Sequence, residues 1–156
     1  INNWESQIYI VVAIGNPKVK TDIFLNIKNS NVSYPTLIHP SVIILDNSTT
    51  IGKGVIITAG CVLTCNIIIE DFVILNLLCT LGHDSIISKY SSLMPAVNIS
   101  GEVSVGEAVY IGTGAVINNQ LSIGKNTIIG SGSIVSQSIP SDCTAVGVPA
   151  KPIKFH

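Results

Sequence analysis

An aliphatic residue recurs every six positions along most of this chain, and that period limits what the chain can fold into. The series starts at Leu45 and reaches Val135 without a miss, as sixteen consecutive aliphatic residues. A second series, four residues after each aliphatic, is mostly small, as at Cys61 and Cys79. A fixed short period is typical of stacked repeats, in which each unit buries its apolar side against the next. The first series comprises Leu45, Ile51, Ile57, Leu63, Ile69, Leu75, Leu81, Ile87, Leu93, Ile99, Val105, Ile111, Ile117, Ile123, Ile129 and Val135.

The six-residue period predicts short strands that turn alternate residues inward, with corners that are often occupied by glycine. Three hexads form one triangular coil, so the series predicts a little over five coils stacked ~4.8 Å apart. Known proteins with this hexapeptide repeat are left-handed parallel β-helices, an exception to the right-handed crossover rule. The chain is therefore predicted to be an all-β protein of this fold. Cys61 and Cys79, one coil apart, are interpreted as stacked core residues.

The first part of the chain lacks the period, and we predict a boundary between residues 1–36 and 37–156. The apolar run 8–14 predicts a strand, and Asn16 followed by proline predicts an N-capped helix over 17–29. This β–α piece resembles the tail of a doubly wound, Rossmann-like domain. The apolar residues of the helix at helical spacing are Val19, Ile23 and Ile27.

Composition disfavours several classes of function. The net charge is −1 and every basic residue is a lysine, so the basic stripe of a nucleic-acid-binding protein is missing. No apolar run approaches the ~18 residues of a membrane span. The four cysteines show no metal-binding spacing, and we expect no metal. A disulfide framework does not suit so aliphatic a chain, which favours a reducing cytoplasm.

His83 is the strongest candidate for a catalytic group. It is the only histidine within the coils, lies at a predicted outward corner beside Asp84, and stacks under Gly101 of the next coil. A neutral imidazole can take a proton from an amine or hydroxyl as that group attacks a thioester. Asp84 can fix the imidazole tautomer, and the amide of Gly101 can stabilise an oxyanion. A solvent-exposed corner histidine without a catalytic role is the alternative.

Two successive coils present the same small-residue edge, formed by residues 112–115 and 130–133. Such an edge favours a smooth groove in which a pantetheine arm can lie against the backbone. Alternatively, glycine merely eases the corners. The two segments are Gly112-Thr113-Gly114-Ala115 and Gly130-Ser131-Gly132-Ser133.

Apolar residues also stack on the predicted outer faces of the coils and favour burial against another subunit. The alternative is that β-branched residues simply prefer strands. One column comprises Ile56, Ile74, Tyr110 and Ile128, and another Ile68 and Ile86.

Residues 37–151 resemble the sugar O- and N-acetyltransferases typified by sialic-acid O-acetyltransferase and the UDP-4-amino-sugar N-acetyltransferases. The Gly-x-Pro-Ala-Lys ending is general among hexapeptide acetyltransferases, whereas the Asn-x6-His-Asp arrangement is more specific to this branch. The motifs that carry the resemblance are Leu37-Ile38-His39-Pro40, Asn76 before Gly82-His83-Asp84, Ser100-Gly101-Glu102-Val103, Ile111-Gly112-Thr113-Gly114-Ala115, Ile129-Gly130-Ser131-Gly132 and Val146-Gly147-Val148-Pro149-Ala150-Lys151.

The resemblance implies a role for each candidate residue. His83 would be the general base, Asp84 its carboxylate partner and Asn76 part of the acceptor site. Acetyl-CoA would be the co-substrate. The family forms homotrimers that bind acetyl-CoA between neighbouring β-helices. In the family a Rossmann-like domain that binds the nucleotide sugar precedes the β-helix, and residues 13–16 of this chain match the end of that domain. The residues along the acetyl-CoA path would be Gly101, Thr113 and Ser131.

The expected function is acetyl-CoA-dependent N-acetylation of a UDP-4-amino sugar in surface-glycan precursor synthesis. Sialic-acid O-acetylation stays open, because the glycine-rich loop of the N-terminal domain is missing from these residues. A non-catalytic scaffold or nucleotide-sugar binder, in which His83 is incidental, is a further alternative. Some relatives hold the acetyl group with a second histidine on the coil after the base, where this chain has Ser92. His39 is interpreted as structural. A γ-class carbonic anhydrase is disfavoured because it needs three zinc-binding histidines.

Overall fold

The computed structural model describes residues 1–156 and shows a β-helix with three faces and about six turns. This confirms the predicted left-handed β-helix. Face 1 contains Leu37–Ile38, Ile56–Ile57, Ile74–Leu75, Ser92–Leu93, Tyr110–Ile111, Ile128–Ile129, Cys143–Gly147 and Ala150–Phe155. Face 2 contains Ile43–Ile44, Val62–Leu63, Thr80–Leu81, Asn98–Ile99, Val116–Ile117 and Ile134–Val135. Face 3 contains Thr50–Ile51, Ile68–Ile69, Ile86–Ile87, Ser104–Val105 and Ser122–Ile123.

The chain visits the faces in the order 1, 2, 3, so we name the corners 1–2, 2–3 and 3–1. Strands one coil apart pair in parallel with an 18-residue register, as when Leu81 pairs with Leu63 and Ile99. The first coil is one residue longer, because Ile44 pairs with Leu63, 19 residues later. The prediction that Leu45 starts the inward series is therefore wrong: Ile44 has that register, and Leu45 is 63% exposed.

The inward aliphatic residues of successive coils form one continuous core. Cys61 and Cys79 are fully buried in it, as predicted, and their thiols donate hydrogen bonds to the carbonyls of Asn76 and Met94, each at 3.2 Å. The hydrogen bond with Cys61 and burial both raise the pKa of the Cys79 thiol. These contacts explain why cysteine serves here as core filler.

The β-helix continues past the predicted end of its period. Ile139 is buried in the core and bridges to Ile123, 16 residues earlier, so the last turn is two residues shorter than the others. Cys143–Gly147 then pairs with Ile128–Ile129 and forms an antiparallel hairpin with Ala150–Phe155. These residues extend the β-helix beyond the predicted length of a little over five coils.

The N-terminal unit contains a parallel strand pair, Ile8–Tyr9 with Val32–Ser33, and the helix Pro17–Asn26. The strand predicted over 8–14 covers only Ile8–Tyr9, the two residues that pair with Val32–Ser33. Asn16 caps the helix as predicted, with its side-chain oxygen accepting from the amide of Val19 at 3.2 Å. The helix ends at Asn26, earlier than predicted, because Ile27 is extended and the amide of Lys28 donates to Asn2 Oδ1 at 2.9 Å.

The N-terminal helix contacts face 1 through Lys20 and corner 3–1 through Phe24. The buried Lys20 ammonium donates to the Ser91 carbonyl at 3.1 Å and to Ser92 Oγ at 2.8 Å, and burial lowers its pKa to about 7. Phe24 stacks on Phe72 with a centroid separation of 3.8 Å. In the predicted apolar series of the helix, Ile23 is half-buried, whereas Val19 is 45% exposed. No helix of this protein has both the length and the apolar character that crossing a membrane requires.

The outer column of face 1 is partly covered by the chain itself. Ile74 and its column neighbour Ser92 are buried, and Lys20 of the N-terminal helix reaches Ser92. The prediction that another subunit buries this column is therefore wrong for Ile74, because Ile74 is already buried within the chain itself. Ile128, two coils after Ser92 in the same column, is 39% exposed.

Candidate active site

His83 lies at corner 2–3, two residues after the inward Leu81 of face 2, and its side chain is about half exposed. Its Nδ1 is 2.7 Å from Asp84 Oδ2, so the Nδ1–H donates to the carboxylate. The other ring nitrogen, Nε2, then carries a lone pair and has no partner within the chain. This tautomer leaves Nε2 available to accept a proton.

Asp84 is held in place by the coil before it. Asp84 adopts a left-handed backbone conformation (φ +59°), and its amide donates to the Cys65 carbonyl at 3.0 Å. The Asn66 side-chain amide donates to Asp84 Oδ1 at 3.1 Å, leaving Oδ2 for His83. The hydrogen bonds from His83 and Asn66 lower the pKa of the Asp84 carboxyl group, which stays ionised as an acceptor for the imidazole. Asn66 was not predicted, although subtracting one 18-residue coil from Asp84 identifies it.

Gly101 lies against the imidazole ring, as the stacking predicted. A Cβ atom built on Gly101 would contact His83 Nε2 and lie 2.7 Å from Cε1, so a larger residue would displace the ring. The amide N–H of Gly101 has no acceptor within the chain. Gly82 leaves that amide uncovered, because a Cβ there would lie 2.5 Å from the Gly101 nitrogen. A base nitrogen and an unused hydrogen-bond donor thus border the same space.

The other predicted residues lie at corner 1–2. Asn76 follows the face 1 strand Ile74–Leu75, and its side-chain oxygen accepts from the amide of Leu77 at 2.8 Å. Thr113 and Ser131 are exposed at the same corner in later coils, and their amides have no acceptor within the chain. Gly112 permits this close stacking, since a Cβ there would lie 2.5 Å from the Ser131 nitrogen. The predicted small-residue edge is present.

The two groups of residues lie at different corners of the same coils. His83, Asp84 and Gly101 lie at corner 2–3, whereas Asn76 lies at corner 1–2, on the far side of face 2. About six residues at ~3.3 Å each separate the corners, which is roughly 20 Å. A single chain therefore does not bring Asn76, or Thr113 and Ser131, to the imidazole.

Neither Ser92 nor His39 lies at the imidazole. The Ser92 hydroxyl is fully buried and bonded by Lys20, so in this chain it is a contact of the N-terminal helix. His39 lies at corner 1–2, where its Nδ1 accepts from the Ser41 amide at 3.2 Å, consistent with a local structural role. No three His, Cys, Asp or Glu side chains come together in an arrangement that would hold a metal ion.

Comparison with known proteins identifies relatives with named activities. GDP-perosamine N-acetyltransferase of Escherichia coli O157:H7 is 34% identical over 109 residues, which are 70% of this chain and 49% of that protein. The chain therefore spans about half the length of this curated relative. No protein-family model matches the chain.

Two solved structures resemble the chain along most of its length. PerB from Caulobacter crescentus, crystallised with CoA and GDP-perosamine, is 32% identical with a TM-score of 0.89, over 94% of this chain and 70% of that one. The acetyltransferase domain of PglB from Neisseria gonorrhoeae FA1090, in complex with acetyl coenzyme A, is 33% identical with a TM-score of 0.87. That likeness covers 92% of this chain and 70% of the PglB chain.

Proposed function

Because the chain belongs to the hexapeptide-repeat sugar N-acetyltransferases, we propose that it transfers the acetyl group of acetyl-CoA to the amino group of a nucleotide-linked 4-amino sugar. The observation that carries the proposal is at corner 2–3. His83 donates through Nδ1 to Asp84, while its free Nε2 lies over Gly101, whose amide is unused. The relatives' complexes with CoA, acetyl-CoA and GDP-perosamine support the choice of substrates.

The chemistry follows from that geometry. The sugar amine attacks the thioester carbonyl carbon, and His83 Nε2 takes one proton from the nitrogen as the C–N bond forms. The amide of Gly101 donates to the oxyanion of the tetrahedral intermediate. The C–S bond then breaks, the imidazolium returns its proton to the CoA sulfur, and the products are CoA and the N-acetyl sugar. Asp84 stabilises the imidazolium that forms transiently.

A homotrimer is part of the proposal, because it would bring the two corners together. In a threefold arrangement with face 2 toward the axis, corner 2–3 of one copy meets corner 1–2 of the next. The outer side of face 2 is apolar toward both ends, where Ile43 and Ile134 are 51% and 37% exposed, and the polar Thr80 and Asn98 between them hydrogen bond to each other. Acetyl-CoA would then lie between His83 of one copy and the small-residue edge of its neighbour.

The N-terminal unit, residues 1–36, supports the acceptor side of the proposal. Its parallel strand pair and docked helix fit the end of a Rossmann-like domain that binds the nucleotide sugar, while residues 37–156 form the catalytic β-helix. We place the reaction in the cytoplasm, in surface-glycan precursor synthesis. The nucleotide, which we expect to be UDP, is GDP in the PerB complex, so the test must include both.

The decisive experiment measures CoA thiol release from acetyl-CoA with UDP- and GDP-linked 4-amino sugars and with free sialic acid. We expect release with a nucleotide amino sugar, and a loss of about 10²- to 10⁴-fold in kcat for His83→Ala, the range typical of general-base removal. His156→Ala, an exposed histidine at the chain end, is the matched control and should keep full activity.

Each other result points to a different function. Release with sialic acid alone would make the protein an O-acetyltransferase. Acetyl-CoA binding without turnover on any sugar would favour a non-catalytic binder. Full activity of a folded His83→Ala variant would remove the proposed mechanism. A monomeric active enzyme, measured by light scattering, would remove the trimer.

A further inference from the structure

The hydroxyl group of Ser85 lies buried behind corner 2–3, on the inner side of the backbone. Ser85 is fully buried, and its Oγ donates to the Ser100 carbonyl at 3.1 Å and accepts from the Val103 amide at 3.5 Å. Neither of these backbone groups has another partner within the chain. The hydroxyl therefore forms a bridge between the two ends of the turn that contains Gly101.

At corner 2–3, only the turn that contains Gly101 has such a hydroxyl bridge. The other coils have aliphatic residues at the inward position of Ser85, apart from Thr49, whose hydroxyl has no partner. The carbonyls that correspond to that of Ser100 accept no hydrogen bond within the chain. The aliphatic residues are Ile67, Val103, Leu121 and Ile139, and the carbonyls are those of Thr64, Gly82, Asn118 and Ser136. The bridge thus occurs only in the turn that stacks on His83.

The hydroxyl bridge fixes the direction of the Gly101 N–H. The Ser100 carbonyl and the Gly101 N–H belong to one trans peptide group, so they point in opposite directions. Because Ser85 holds the carbonyl inward, the N–H points outward, where it borders the imidazole of His83 and has no acceptor within the chain. The hydrogen bond to the carbonyl also polarises the peptide group and strengthens its N–H as a donor.

We infer that Ser85 is a positioning residue for the transfer reaction, whose hydroxyl aims the Gly101 N–H at the oxyanion that forms on the thioester carbonyl. This inference rests on the proposed N-acetyltransferase function. Ser85 is too deeply buried to touch a reacting atom, so it acts through the peptide group between Ser100 and Gly101. The oxyanion forms only during the reaction, so the hydroxyl should raise kcat and leave the binding of acetyl-CoA unchanged.

Ser91 provides an internal comparison, because it makes the same pair of hydrogen bonds away from the imidazole. Its Oγ donates to the Gly106 carbonyl at 2.9 Å and accepts from the Val109 amide at 3.1 Å. This turn lies at corner 3–1, which holds none of the proposed catalytic groups. Loss of either serine hydroxyl should therefore lower stability, whereas only loss of the Ser85 hydroxyl should lower kcat.

The test replaces each serine by threonine and by valine, which have nearly the same shape and differ in the hydroxyl. Both types fit such positions: Thr127, in the column of Ser91, donates to the Pro140 carbonyl at 2.7 Å, and the buried Val103 follows Ser85 in its column. We expect the kcat of Ser85→Val to lie about 10-fold below that of Ser85→Thr, less than the roughly 10²- to 10³-fold cost of removing an oxyanion donor. The KM for acetyl-CoA should agree within about twofold. Ser91→Val should melt below Ser91→Thr but have an equal kcat.

The other outcomes overturn the inference, and they separate it from the function on which it rests. Equal kcat for Ser85→Thr and Ser85→Val leaves the acetyltransferase standing without this role for the hydroxyl. A higher KM at unchanged kcat assigns the hydroxyl to the binding of acetyl-CoA, and an equal loss of kcat in the Ser91 pair makes both hydroxyls general supports of the coil. If Ser85→Val does not fold, Ser85→Ala takes its place, because the buried Ala115 fills the corresponding position of corner 1–2. Absence of transfer by the wild-type protein removes the proposed function and the inference together.

Discussion

Corners 1–2 and 2–3 of the β-helix share one backbone path but carry opposite kinds of side chain. At corner 2–3, polar side chains of successive coils hydrogen bond to each other, as Asn66 does with Asp84 and Gln120 with Glu102. At corner 1–2, the later coils present Thr113, Ser131 and glycines. One edge therefore fixes reactive groups, while the other leaves the backbone open to a ligand.

The difference shows how a repeat fold separates tasks without changing its scaffold. Both corners have a left-handed residue in most coils, such as Asp84 at corner 2–3 and Gly114 at corner 1–2. At corner 2–3 the carboxylate of Asp84 accepts from the His83 imidazole, whereas at corner 1–2 the equivalent residue is glycine in three coils and Leu78 or Ala96 in two others. The stacking interval makes each corner a column whose chemistry can vary independently of the core.

The largest expected difference between the corners comes from matched glycine substitutions. Gly101→Ala puts a methyl group against the His83 ring, and a displacement of about 1 Å costs roughly 10²-fold in kcat. Gly114→Ala meets no atom within 4 Å, although its φ of +69° strains an alanine by roughly 1–2 kcal/mol. We expect Gly114→Ala to lower the melting temperature and Gly101→Ala to lower kcat.

Steady-state kinetics and thermal unfolding of the two variants provide the measurement. If both variants lose only stability, the contact between Gly101 and the imidazole has no catalytic role. If both lose kcat equally, the two corners do not differ in function.

A smaller effect is expected from the hydrogen-bond ladder of corner 2–3. With the amide oxygen of Asp84→Asn held by Asn66, an NH2 group that cannot accept from Nδ1 faces His83, and the loss of this charge-assisted hydrogen bond should lower kcat roughly 10-fold. Asn66→Ala removes only the support of the carboxylate and should cost roughly two- to threefold, the value of one exposed hydrogen bond. The KM for acetyl-CoA should stay constant in both variants. A larger loss for Asn66→Ala than for Asp84→Asn would contradict the proposed order of support.

The sequence predicts the coils and the side-chain contacts of corner 2–3 well, because stacking converts spacing into contact. An interval of 18 residues correctly places Gly101 against His83 and Cys61 near Cys79. The same interval leads from Asp84 to Asn66, whose contact with Asp84 was not predicted. One inward position of each hexad is predictable because it is aliphatic in coil after coil, whereas the other inward position also accepts small residues such as Cys61 and Ser85.

Features without a period were predicted less well, for identifiable physical reasons. Ile43, Ile44 and Leu45 are three successive aliphatics, so hydrophobicity could not locate the extra residue that shifts the register. The contact between the helix and the β-helix was not predicted, because it includes a buried lysine whose ammonium donates to Ser92 Oγ and to the Ser91 carbonyl. The relation between the two corners cannot be predicted from the repeat, since it depends on how copies assemble.

An effect smaller than that of Asp84→Asn tests corner 1–2 as the path of acetyl-CoA. Ser131→Phe adds a bulky ring to the exposed small-residue edge, and Asn119→Phe adds one at corner 2–3 in the coil after Gly101. We expect the KM for acetyl-CoA to rise roughly fivefold for Ser131→Phe, about 1 kcal/mol of lost binding, with kcat nearly unchanged. Asn119→Phe should leave that KM unchanged if CoA follows the small-residue edge. A ligand that lies along one column is blocked only by bulk added to that column. A rise in the KM for acetyl-CoA in Asn119→Phe alone would therefore place the cofactor at corner 2–3, so that one corner would hold both the cofactor and the catalytic histidine.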